Sequence, residues 1–386
     1  MEVRVVRRVR DVPRAAWDDV AGDTSPFVTW TWLATLEDAG TLAPETGWLP
    51  QYLTLWDGAQ MVGACPLYLK SHSLGEFVFD HGWAAAAARA GIAYYPKLLV
   101  ASPFTPATGP RFLAVPGALD AVVDALAGVL ESVCAREGFS SAHVNFCRPA
   151  EVDALAARGW VPRTGYQYHW SNPGFRSFAD YLASLRSKRR KEVRREQREL
   201  VEQGVEITVH MGTDLPADVQ AALDPLYEST LVWFGPWGHR YLTPQFFDLI
   251  VERFGEHVCC IVARQRGEVV AGTFNVQYGD VLYGRYWGAF RDLRHLHFNV
   301  CYYACIEHCI SQGLARFEPG AGGEFKHQRG FDATPTHSMH FLRDARLRAA
   351  VADYCRRERS VVEDDIAALR AGTALRRDRP PEEPEI

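Results

Sequence analysis

Residues 258–278 read VCCIVARQRGEVVAGTFNVQY, and residues 51–69 read QYLTLWDGAQMVGACPLYL. Each is an apolar, β-branched run, a short polar turn (QRGE or DGAQ) and a second such run, which is the pattern of a β-hairpin. Each hairpin follows an aromatic-rich helical stretch, TPQFFDLIVERFG (243–255) or SPFVTWTWLATLEDAG (25–40). Each precedes a further predicted strand, VLYGRYWGA (281–289) or GEFVFDHGW (75–83). Then comes a helix, HFNVCYYACIEHCISQGL (297–314) closing at Gly313, or ALDAVVDALAGVLESVCAREGF (118–139). A strand ends each series, LARFEP or SAHVNF (141–146), and SMHFLRD (338–344) adds another to the second half. One unit is written about twice. The expected fold class is α/β (α+β), a mixed sheet with helices on it in each half.

Between the halves lies RSKRRKEVRREQREL (186–200), with eight basic residues from Arg186 to Arg198 against two acids. As a helix this stretch reads as charged on every side. The division predicted is a first domain over 1–170, a basic helical connector over 171–205, a second domain over 206–371 and a flexible Pro-rich tail over 372–386. A final helix is expected over 348–371.

The chain of 386 residues is 47% hydrophobic, enough to bury a large core, and its net charge of −5 excludes a surface basic all over. It holds no run of eighteen apolar residues, and the start MEVRVVRRVRD lacks a signal-type apolar stretch, so a cytoplasmic protein without a membrane span is expected. Nine cysteines are scattered without a CxxC pair, which argues against a metal site. Cys301, Cys305 and Cys309 fall on one helical face and read as small buried hydrophobes.

The segment least like a generic core is YGRYWG (283–288) with LHFNVCYYACIEHCISQGLARFEPGAGGEFKHQRGF (296–331). A strand end that releases glycines and mixed charges is where α/β proteins build sites. Other unusual strings are SPF (25–27), ETGWLPQ (45–51), PLYLKSHSLGEFVFDHGW (66–83), YYPKL (94–98) and PFTPATGPR (103–111). With LYGRYWG (282–288) and FEPGAGGEFKHQRGF (317–331), they make residues 25–365 resemble the FemAB-like branch of the GNAT acyltransferase superfamily, the peptidoglycan biosynthesis/recognition proteins. The resemblance implies tandem GNAT-like domains and acyl transfer to an amine, with relatives that take an amino acid from aminoacyl-tRNA. Three positions depart from the family pattern: Asn299 stands where an acid follows LHF, and Gly322 and Phe325 replace polar residues of GAQGEHK. They point to a specialised acceptor, a small amine or peptide-like molecule.

Two donors fit this frame, and no separate cofactor is expected. Acyl-CoA enzymes of this type hold the pyrophosphate on a Gly-rich loop at a helix N-terminus. The junction AFRDLRHLHF (289–298) has no glycine, which weakens that reading, although Arg291, Arg294 and His295 remain as side-chain phosphate contacts. Lys188, Arg189, Arg190, Lys191 and Arg194 instead favour a polyanion such as tRNA, or else form a solvated helix face.

Amide formation from an activated ester needs a base and a donor for the oxyanion, not a covalent nucleophile. Glu318 and Glu324 are candidates for the base, unless they pair with Arg316 or Arg329. Lys326 and Arg329 are candidates to polarise the ester or hold a phosphate or carboxylate, or to bridge the glycine loop. Arg285 and Trp287 lie two apart in a predicted strand and so share a face, with Tyr283 on it too, as a substrate-binding set or a structural stack. His297 opens a helix, whose dipole lowers its pKa, and reads as a neutral base or an N-terminal cap. In the first half Asp80, His81, Lys97 and Thr105 are expected to shape the acceptor channel, Asp80 and His81 on opposite strand faces. A binding module without catalysis, recognising cell-wall fragments or RNA, is the reading from another class.

Overall fold

Arg266 and Gly267 both sit at positive φ (55° and 82°), the two-residue turn whose twist matches a right-handed hairpin. The strands on either side are therefore antiparallel, and the first-half hairpin also turns in two residues, with only the first of them, Gly58 (φ 59°), at positive φ. The computed structural model describes residues 1–234 and 238–376, and all of their side chains except those of Trp233, Phe234 and Glu324.

In chain order the first half holds β1 (Glu2–Val6), α1 (Arg14–Ala21), α2 (Trp30–Asp38), β2 (Trp48–Pro50), β3 (Tyr52–Asp57), β4 (Gln60–Cys65) and β5 (Leu67–Lys70). It continues with α3 (His81–Arg89), β6 (Lys97–Val100), β7 (Leu113–Ala114), α4 (Leu119–Glu137), β8 (Ser141–Asn145), α5 (Pro149–Ala157) and β9 (Val161–Ser171). Helices α6 (Phe178–Ser184) and α7 (Ser187–Glu202) follow. The second half holds β10 (Val205–Met211), α8 (Ala217–Phe234), α9 (Pro244–Phe254), β11 (Val258–Gln265), β12 (Glu268–Tyr278) and β13 (Val281–Ala289). It ends with α10 (Leu296–Phe298), a π-helical turn (Asn299–Tyr303), α11 (Ala304–Ser311), β14 (Arg316–Glu318), β15 (Asp332–Leu342) and α12 (Ala345–Ala371).

Among the described residues β1, β3, β4 and β7 form one small sheet, and eleven strands form the other in the order β10-β11-β12-β13-β14-β9-β15-β8-β6-β5-β2. All pairs are antiparallel except β13 with β14 and β6 with β8, one parallel pair in each half. This is the α/β architecture expected, a mixed and mostly antiparallel sheet flanked by helices. The halves are interleaved. β9, which ends at the expected boundary, lies between β14 and β15, and β15 reaches back to pair with β8. One apolar cluster also spans both halves, with Trp32 of α2 edge-on to Phe246 and Phe254 of α9. No helix of the described residues is long and apolar enough to cross a membrane.

Four local expectations are corrected. GEFVFDHGW is not a strand: Gly75 and Phe77 have positive φ (77° and 58°), and the alanine-rich run after it makes α3. Asp80 therefore precedes a helix rather than alternating with His81 along a strand. The connector helix is not charged on every side, because α7 turns Val193, Glu196 and Leu200 inward. The helix over 297–314 is interrupted by its π-helical turn. Finally, Phe274 pairs with Tyr286 while Asn275 pairs with Gly284, so Arg285 is the extra residue of a β-bulge. The bulge breaks the period of two. Tyr283 stays in the cluster shared with the first half, whereas Trp287 packs with the second-half cluster around α10 and α11.

Of the expected tail, Ala374 is buried and Leu375 bridges Leu185, and residues 377–386 lie outside the described residues.

Candidate active site

β13 and β14 run parallel as far as the pair Tyr283–Glu318. β13 then continues to Ala289, while β14 ends and the chain turns away through Pro319 and Gly320. The turn is possible because Gly320, Gly322 and Gly323 take positive φ (84°, 72° and 88°). It is also tightly seated. A Cβ on Gly284 would stand 3.1 Å from Pro319 Cα. The chain returns as a 3-10 turn, Glu324–Arg329, carrying the candidate lysine.

Lys326 is buried, at 3% exposure. Its Nζ donates to the Gly320 carbonyl at 2.8 Å and reaches those of Pro319 and Ala321 at 3.5 Å. Its hydrogen-bond partners among the described residues are thus carbonyl oxygens. An ammonium removed from water with no counter-charge at bonding distance titrates early, and burial lowers its pKa to about 8.

Glu318, 5% exposed, is held through Oε1 by Arg316 Nε at 2.8 Å. Its Oε2 has no hydrogen-bond partner among the described residues and faces His169 Nε2 at 3.8 Å. Burial raises its pKa to about 7, against the lowering effect of Arg316 and Arg285. His169 is kept neutral, its pKa lowered to about 3 by burial and then by Arg316 and Lys326. Sequence reasoning missed this histidine. Its signal is the alternation of Gln167 and His169 along β9, two polar side chains on one face of a buried strand.

Arg285 reaches across to the first half. Its guanidinium donates to the Phe104 carbonyl and, at 3.2 Å, to Thr105 Oγ1. Arg285 Nε has no partner among the described residues. Arg285 and Thr105, predicted from opposite halves, are thus brought together. Trp287 is not with them: its ring lies 4.5 Å from that of His297. His297 does not cap its helix, since the N-cap position is His295. Its pKa is lowered to about 4 by burial first and by Arg329 and Lys326 second, rather than by the helix dipole. The Lys326 charge thus helps to keep both His169 and His297 neutral.

Arg329 is engaged inside the protein. It donates to Tyr303 OH at 2.8 Å and to the Phe325 carbonyl at 3.0 Å, pairs with Glu196 Oε2 at 3.2 Å and stacks 3.5 Å over Phe298. The side chain of Glu324 lies outside the described residues. On α7, Lys188, Lys191 and Arg194 are exposed with no ion pair among the described residues, whereas Arg189 pairs with Glu192 at 2.7 Å and Arg190 reaches the Ala183 carbonyl.

Asp80 and Lys97 meet in a separate, sealed cluster of the first half. Lys97 Nζ lies 2.5 Å from Asp80, 2.8 Å from Glu76 and 2.8 Å from Ser73 Oγ. Tyr94 OH donates to Asp80 at 2.6 Å. His81, beside them in sequence, is exposed on α3. Tyr94→Phe removes a charge-assisted hydrogen bond from a carboxylate that cannot regain it from water. The expected cost is about 1.5–3 kcal/mol of stability, read from urea unfolding midpoints.

The fold has known counterparts. It superposes on FemX with a TM-score of 0.53 at 11% identity, covering 91% of this chain and 100% of FemX. The C-terminal DUF2156 domain of a protein described as a lysylphosphatidylglycerol synthetase, from Agrobacterium fabrum, gives 0.54 at 11% identity, covering 90% of this chain and 95% of that one. L-PGS from Bacillus licheniformis gives 0.50 at 9% identity, covering 83% and 94%. At such identities the likeness is one of fold. No curated protein matches the chain by sequence. The family model for peptidoglycan biosynthesis/recognition, FemAB-like, matches residues 8–377, nearly the whole length. The chain belongs to the FemAB-like family.

Proposed function

We propose that the chain is an N-acyltransferase that moves an aminoacyl group from aminoacyl-tRNA onto an amine of a peptide-like acceptor. The observation that carries this reading is the pair Lys326 and Glu318. Both are buried, neither is paired with the other, and they titrate near 8 and near 7. Amide formation needs both kinds of group, a cation for the oxyanion and a carboxylate able to take a proton at neutral pH. The acceptor amine attacks the ester carbonyl, and Lys326 stabilises the negative oxygen as the C–N bond forms. Glu318 takes the ammonium proton. The C–O bond to the ribose then breaks, and the leaving oxygen regains a proton.

The donor reading is supported by α7 and by the state of the residues the alternative needs. Arg291 is paired with Glu268 at 2.6 Å, and Arg294 and His295 are both on Glu199, at 3.2 Å and 3.1 Å. The three side chains left to hold a CoA pyrophosphate are already engaged. The deciding experiment offers charged tRNAs and acyl-CoAs in turn with candidate amines, and follows acyl transfer by mass spectrometry. Transfer from the tRNA preparation that survives RNase overturns the tRNA donor.

Lys188, Lys191 and Arg194 give a second expectation. Replacing all three by Gln weakens tRNA binding and reduces the slope of log K against log[salt] by roughly 2–3, about 0.7–0.9 for each phosphate no longer neutralised. Unchanged binding over 50–200 mM salt removes this face as the docking surface.

A further inference from the structure

Glu196 is the one acid that α7 turns inward, at 7% exposure, on a helix whose outer face is basic. A buried carboxylate is costly unless it is paired and hydrogen-bonded. Here both its side chain and its backbone are held. Tyr303 OH donates to Oε2, and Arg329 Nη2 lies 3.2 Å from Oε2 and 3.4 Å from Oε1. The Glu196 carbonyl accepts from Asn299 Nδ2 at 3.2 Å, and the same amide donates to the His295 carbonyl at 2.9 Å. Asn299 and Tyr303 are the two ends of the π-helical turn. Such turns gather at functional positions.

The other end of this clasp is the lysine loop. Arg329 closes the 3-10 turn that carries Lys326, and it binds the carbonyl of Phe325, the residue before that lysine. A short chain of contacts therefore runs from the basic helix through Glu196 and Arg329 to the backbone at Lys326. Asn299 fits this role because an amide donates to two carbonyls, and an aspartate at 299 would set a carboxylate against both.

We infer that Glu196 is a positioning residue that couples polyanion docking on the outer face of α7 to the placement of the Lys326 loop. This rests on the tRNA reading above. When tRNA engages Lys188, Lys191 and Arg194, α7 is fixed, and the clasp fixes the loop with it. Arg329 acts through Lys326 rather than on the substrate.

The test is amide hydrogen exchange of the full chain with and without uncharged tRNA, compared between the wild type and Glu196→Gln. In the wild type, tRNA slows exchange in peptides covering 296–303 and 319–331. In E196Q, which keeps an acceptor for Tyr303 but loses the ion pair, tRNA binds within about twofold of the wild type, because the residue is buried. The slowing at 319–331 is nevertheless lost. With charged tRNA, E196Q lowers kcat about tenfold to a hundredfold and leaves the donor KM unchanged. Asn299→Ser, which removes the amide donor without adding charge, gives the same split and serves if E196Q folds poorly. Wild-type protein that binds tRNA with no change at 319–331 overturns the coupling and leaves the donor reading standing. So does full slowing retained in E196Q. Wild-type protein that does not bind tRNA overturns both.

Discussion

Lys326→Met lowers kcat/KM for aminoacyl transfer by about 10²–10³, the range seen when a single oxyanion donor is removed. The reason is the setting of the ammonium. It is buried against the carbonyls of Pro319, Gly320 and Ala321, so its charge faces no carboxylate among its bonded partners. A charge in such a setting is weakly screened and acts strongly on an oxyanion formed beside it. Methionine fills the same volume and keeps the loop packed. Donor binding should be unchanged, since the docking surface proposed for tRNA is the outer face of α7. Single-turnover rates and tRNA affinity, measured on one preparation, separate the two. Loss of affinity with an unchanged chemical step would assign Lys326 to donor binding.

Glu318→Gln has an effect of similar size, about 10²–10⁴ in kcat/KM, the usual value of a positioned general base. Its pH signature is sharper. The Glu318 pKa is raised to about 7, so below that pH the carboxyl holds its proton and cannot take one from the acceptor ammonium. The Lys326 pKa is lowered to about 8, so above that pH the cation is lost. Activity therefore rises through pH 7 and falls above pH 8, a narrow bell. In E318Q the acid limb disappears and the alkaline limb stays. An acid limb that survives in E318Q would belong to another group, such as the acceptor amine itself, and would remove Glu318 as the base.

Much of this architecture could be read from the chain, because hairpins and helices are local. The QRGE turn, the apolar runs around it and the closing Gly313 are decided by residues close in sequence. Glu318 and Lys326 stood out as candidates for a related reason: charged residues and glycines crowd a strand end. What could not be read depends on partners far away. His169 lies about 150 positions before Glu318, and the pairing of β9 with β14 brings them together. Arg329 looked like a substrate ligand until Glu196 supplied its counter-charge. One inserted residue at Arg285 turned Trp287 to the other side of the sheet, and no pattern of side chains announces a bulge. Asp80 and Lys97 were expected to shape an acceptor channel, yet the place they share is a closed ionic knot within the first half.

The strand that the late half lends to the early one also orders events during synthesis. Until β15 leaves the ribosome, β8 and β9 have an open rim, and more than 150 residues separate them from what covers it. Pairings so distant in sequence slow the search for the native state, and an unpaired rim invites association with other chains. That rim stays open until the final fifth of the chain emerges. Proteolysis in the connector would leave neither fragment with a finished sheet.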